Sequence, residues 1–131
     1  MSTITRENTT YTQTEVPQTL AGFKNWEFTS GPVIDEDFRV FARLFKKYIT
    51  QHLPTGSQLV TFSRGHYEVS GFIQRQGKYV YFSVSDVRFF PGKWQSEILV
   101  RTATSDKDYT GGVNRYTGLD TFQVAVDALL N

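Results

Sequence analysis

Cysteine is absent from this 131-residue chain, which excludes disulfide frameworks, thiolate zinc sites and cysteine nucleophiles. Long apolar runs are absent too, and nothing approaches the roughly 20 residues that a bilayer-spanning helix needs. Histidine is scarce. His52 and His66 are the only neutral-pH bases, and their spacing suggests no zinc pair. Neither a Gly-x-Ser-x-Gly elbow nor a Gly-Lys-Ser/Thr phosphate loop occurs, so a serine-hydrolase motif and a Walker motif are both missing. A one-sided charge is lacking as well: the formal net charge is +1, which gives no overall basic excess for a nucleic-acid partner. The first residues, "MSTITRENTTYTQTEVPQT", have no apolar core of the secretory kind, so the expectation is a cytoplasmic protein with no membrane partner. No catalytic, metal or cofactor motif is complete, and none of the three is expected.

Aromatic residues are plentiful, at 15% of the chain. Residues 1–19 hold seven threonines and little hydrophobic periodicity, and read as a flexible or extended arm before a single domain at 20–131. Trp26 and Phe28 suggest a short strand ended by Gly31-Pro32. In "DEDFRVFARLFKKYITQHLP", Phe38, Phe41, Phe45 and Tyr48 recur at helical spacing. Acidic residues open that segment, basic ones close it, and Pro54 follows, all of which suit a helix.

Three strands follow in "SQLVTFS-RG-HYEVSGFIQR-QG-KYVYFSVSD", with two-residue turns expected at Arg64-Gly65 and Gln76-Gly77. Those turns would set Val60 opposite Val69, Phe62 opposite Tyr67, Val69 opposite Val84 and Ile73 opposite Val80, giving one apolar face. "SEILVRTA" reads as a fourth strand, with either Ile98 and Val100 or Leu99 facing the core. "LDTFQVAVDALL" reads as a C-terminal helix burying Leu119, Phe122, Val126 and Leu129, capped by Asp120 or Thr117. The expected fold is α+β in two layers: an antiparallel sheet of about four strands, with an N-terminal-half helix and a C-terminal helix on one face.

Three surfaces are candidates for function. The first is the other sheet face, where Phe72, Tyr79 and Tyr81 interrupt a polar pattern and Arg101 joins if Ile98 and Val100 point inward. Open aromatic sheets beside cations stack bases, and Arg75, Lys78, Arg88 and Arg101 would then meet phosphates. The bland alternatives are cross-strand pairing or cover by the N-terminal arm, a helix or a second subunit, which makes a dimer through this face conceivable. The second surface is the loop "TSDKDYTGGVNRYTG", with Asp106, Asp108, Tyr109, Gly111, Gly112, Asn114, Arg115 and Tyr116. Its repeated Tyr-Thr-Gly suggests two turns, each tyrosine lying back as an anchor and each glycine left-handed. Gly111-Gly112 also offers amides to a phosphate. The third is "FFPGKW", where Phe89, Phe90 and Trp94 form either an interface anchor or a cap on the core. A remote alternative is a metal-dependent nuclease built on Asp86, Glu97, Asp106 or Asp108, although no acid–Lys strand pair accompanies them.

In "ILVRTATSDKDYTGGVN", residues 98–114, the sequence Arg101-Thr102-Ala103, then Asp106, Asp108-Tyr109-Thr110-Gly111-Gly112 and Asn114, resembles small uncharacterised proteins of phages and conjugative elements of Gram-positive bacteria. The resemblance implies a mobile-element accessory protein, a group that includes inhibitors of host defence such as anti-CRISPR proteins. The expected function is therefore a small, cofactor-free, non-enzymatic binding protein that engages a host or element-encoded protein. The alternative is a single-stranded nucleic-acid binder.

Overall fold

The aromatic stripe at residues 38–48 determines the first element. Helix α1 spans Asp35–Gln51 and turns Phe38, Phe41, Phe45 and Ile49 fully inward. A computed structural model describes residues 16–24, 35–65, 68–85 and 92–131. The strand expected around Trp26 and Phe28 lies outside those residues, as do Phe89 and Phe90.

Strands β1 (Gln58–Arg64), β2 (Glu68–Arg75), β3 (Lys78–Ser85), β4 (Ile98–Ala103) and β5 (Arg115–Thr117) form one antiparallel sheet in the order β1-β2-β3-β4-β5. There are five strands rather than about four, because three residues of the supposed loop pair with β4. The β2–β3 hairpin has the expected register, Val69 opposite Val84 and Ile73 opposite Val80. At its turn Gln76 and Gly77 both have positive φ, 50° and 80°, as the tight hairpin twist requires.

The β1–β2 register differs from expectation. Arg64 lies opposite Val69 and Phe62 opposite Gly71, with an irregularity between Leu59 and Thr61. The connection is longer than two residues and is closed by the Gly65 amide donating to the Glu68 carbonyl at 2.8 Å. The slip is an even number of residues at Phe62, so that ring keeps its core-side position. The irregularity changes the phase beyond it: Leu59 packs against the core while Val60 is exposed. Gly71 has a packing reason, since a Cβ there would meet the Thr61 carbonyl and lie 2.8 Å from the Phe82 ring.

In β4, Ile98 and Val100 face the core, which resolves the phase. Helix α2 (Lys93–Ser96) brings Trp94 into the core against Phe41, so Trp94 acts as a core cap and not as an exposed interface anchor. Helix α3 (Phe122–Leu130) buries Phe122, Val126 and Leu130 and lies against β3 and β4. Its cap position is Thr121, not Asp120 or Thr117. Arg75 fastens the end of α3 to the sheet by bonds to Asp127 Oδ1 (2.7 Å), the Asn131 side chain and the Thr55 carbonyl. Val16 and Leu20, where the N-terminal arm was expected to end, pack against the same core. All this closes one face of the sheet and leaves the other to the loop between β4 and β5.

Candidate functional site

On that second face, Phe72 and Tyr81 are cross-strand partners with ring centroids 5.1 Å apart. Arg101 sits opposite Tyr81 on β4, and its guanidinium lies 4.3 Å from the Tyr81 ring centroid. The face is not open here. The loop returns across it and sets Tyr109 edge-on to both Phe72 (5.2 Å) and Tyr81 (5.8 Å). Phe72 is 0% and Arg101 3% exposed as a result.

Asp108 organises this return. Its carboxylate accepts from the Thr104 amide (2.9 Å), the Thr104 hydroxyl (3.2 Å), the Thr110 amide (3.2 Å) and the Gly111 amide (2.8 Å). Backbone donors favour the charged form, so its pKa falls from the ordinary 3.8 to about 2; the Thr104 amide is the largest cause, then Gly111 and Thr110. Of the Gly111 and Gly112 amides considered for a phosphate, that of Gly111 is occupied by the chain's own carboxylate. Arg101 completes the brace by donating to the Asp108 carbonyl at 2.9 Å. Gly112, at φ 78°, then presses so close to the Thr102 backbone that a Cβ would collide with the Thr102 carbonyl.

The two Tyr-Thr-Gly copies therefore do different work. The first, at 109–111, belongs to the Asp108-braced turn, and Tyr109 is the anchor expected. In the second, Tyr116 and Thr117 belong to β5, and Tyr116 points outward at 62% exposure. The left-handed glycine is Gly112, not Gly111 or Gly118.

The structure brings together Phe72, Tyr81, Arg101, Asp108 and Tyr109. Tyr79 stands apart, half-buried, with Lys78 at a shallow hollow of about 440 Å³ beside the end of α3. Arg75 is engaged by Asp127, and Arg88 and Asp86 lie outside the described residues. Glu97 lies 3.9 Å from Lys93, away from Asp106 and Asp108 in the loop.

What the loop exposes is apolar and aromatic. Tyr109 is 55%, Val113 70% and Tyr116 62% exposed, with Lys107, Asn114 and Arg115 beside them. Val113 escaped the sequence reading. The available signal was one isolated valine in "GGVNR", with no periodicity to bury it. On the helix side, a second hollow of about 270 Å³ is lined by Lys24, Tyr48, Gln95, Leu119 and Asp120. Tyr48 there is raised in pKa by burial and then by the Asp120 charge.

Comparisons with protein-family models, curated proteins and solved structures find no match. No helix among the described residues is long and apolar enough to cross a membrane.

Proposed function

We propose that this is a small non-enzymatic binding protein whose partner is another protein, engaged by the outer side of the 107–116 loop. One observation carries the reading: the loop is braced from below by Asp108 and Arg101 while Tyr109, Val113 and Tyr116 are presented to solvent. Holding the loop backbone in place before contact lowers the ordering cost of association. Tyrosine is among the residue types enriched at interface hot spots. The cover over Phe72 and Tyr81, and the ion pair that holds Arg75, weigh against base stacking on the sheet. The resemblance at residues 98–114 supports a host enzyme acting on nucleic acids as the partner, with inhibition as the outcome.

The test is a photo-crosslinking amino acid at position 113, introduced in cells that contain candidate partners. A discrete protein adduct is expected, and Tyr109→Ala or Tyr116→Ala should weaken the purified complex by about 2 kcal/mol each, roughly thirtyfold in affinity. Salt-sensitive binding of single-stranded DNA or RNA, lost in Tyr116→Ala and unaccompanied by any protein adduct, would replace this reading with the nucleic-acid one.

A further inference from the structure

Arg101 and Arg75 are both largely withdrawn from water, and the chain treats them differently. Arg75 receives a carboxylate, that of Asp127 at 2.7 Å, together with the Asn131 side chain and two carbonyls. Arg101, at 3% exposure, receives none among the described residues. Two of its five N–H groups meet carbonyls, that of Asp108 at 2.9 Å and that of Thr102 at 3.4 Å. The others have no protein acceptor among the described residues. Asp108 is the acid best placed to answer, yet its carboxylate is committed to Thr104, Thr110 and Gly111, and only its backbone oxygen reaches the guanidinium.

A buried cation without an anion is costly, and removing a carboxylate from water is repaid only by a well-placed cation. In the loop around it Lys107 and Arg115 are balanced by Asp106 and Asp108, and both of those cations are exposed and without an ion pair among the described residues. We infer that Arg101 is the anchor for an aspartate or glutamate side chain of the partner, which enters beside Tyr109 while Val113 and Tyr116 hold the apolar residues around it. The inference rests on the protein-binding reading and supplies its partner chemistry. A carboxylate suits this position better than a phosphate, because a doubly charged, strongly hydrated group loses more on entering an aromatic-walled site. Entry requires Tyr109 to turn away from Phe72 and Tyr81. Two edge-on ring contacts hold it, and its hydroxyl has no hydrogen-bond partner among the described residues.

The experiment is an NMR titration of the intact, isotope-labelled protein, following the Arg101 Nε–H signal. The probes are N-acetyl-aspartate N-methylamide, its uncharged asparagine counterpart and inorganic phosphate. Saturable movement with the aspartate probe in the millimolar range is expected, with little from the asparagine probe and weaker binding of phosphate. Tyr109→Ala should tighten the aspartate probe severalfold, because no ring then has to move, although the same substitution weakens the protein partner. Arg101→Lys should abolish the shifts that the aspartate probe causes at the neighbouring Asp108 and Tyr109 backbone amides, and the wild-type signal carries the test if that variant folds poorly.

A silent Arg101 in both wild type and Tyr109→Ala would overturn the anchor, as would responses confined to Lys107 and Arg115. Tighter binding of phosphate than of aspartate would overturn the carboxylate. A silent Arg101 alongside a genuine adduct at position 113 leaves the protein-binding reading standing without the anchor. An Arg101 response with no protein adduct overturns the partner instead.

Discussion

The two faces of the sheet are closed by different physical means. One is sealed by helices through packed rings and aliphatic chains, Phe45 and Phe122 against Phe82 among them. The other is sealed by a loop that relies on one carboxylate, one guanidinium and a single ring. Apolar packing is unspecific in detail but strong in sum, so it makes the fold stable. A hydrogen-bonded brace adds less stability but fixes which side chains face outward. The first face accounts for why the protein folds, and the second for what it presents.

That contrast can be broken from either side. The largest effect belongs to the helix face: Phe82→Ala should cost about 4 kcal/mol, read from the midpoint of urea unfolding. Gly71→Ala should follow at about 2 kcal/mol, since the new methyl meets Phe82 and the Thr61 carbonyl; an unchanged midpoint would show the β1–β2 register to be wrong.

On the loop face, Asp108→Asn should leave global unfolding far less affected than either. It should instead speed hydrogen exchange at the amides of Thr104, Thr110 and Gly111. The same brace has a pH signature. Because its folded pKa lies below the ordinary 3.8, Asp108 contributes its full stabilisation above that value and loses it as pH falls through about 2. Loop amides should therefore lose protection within that window, and Asp108→Asn should remove the dependence. The smallest effect is expected for Tyr116→Ala, within about 0.5 kcal/mol of wild-type stability, with any loss confined to partner binding.

Much of the helix face was legible in the sequence because periodicity records burial directly: the Phe38, Phe41 and Phe45 stripe and the Val69–Val84 pairing follow from spacing and one turn. The β1 register was not, because Arg64-Gly65 resembles a tight turn and nothing local announces the irregularity near Val60. The loop face was legible only in parts. Phe72, Tyr81, Arg101 and Tyr109 were each singled out, but their mutual cover depends on Asp108 bonding to residues on both sides of itself, a pattern with no period. Tyr116 and Tyr109 share a tripeptide yet differ in role, since pairing with β4 belongs to the sheet and not to the motif.

The strand order has a consequence for how the molecule forms. Each strand lies beside its neighbour in sequence, from β1 through β5. No strand must therefore wait for a distant segment before it can pair, and the entropy of closing long loops is largely avoided. The Gln76-Gly77 hairpin can form first, and the sheet can then grow outward in both directions. The Asp108 carboxylate bonds only residues 104, 110 and 111, whereas the cover that Tyr109 gives Phe72 and Tyr81 needs β2 and β3 already paired, so the turn is a local structure and its seat on the sheet is not.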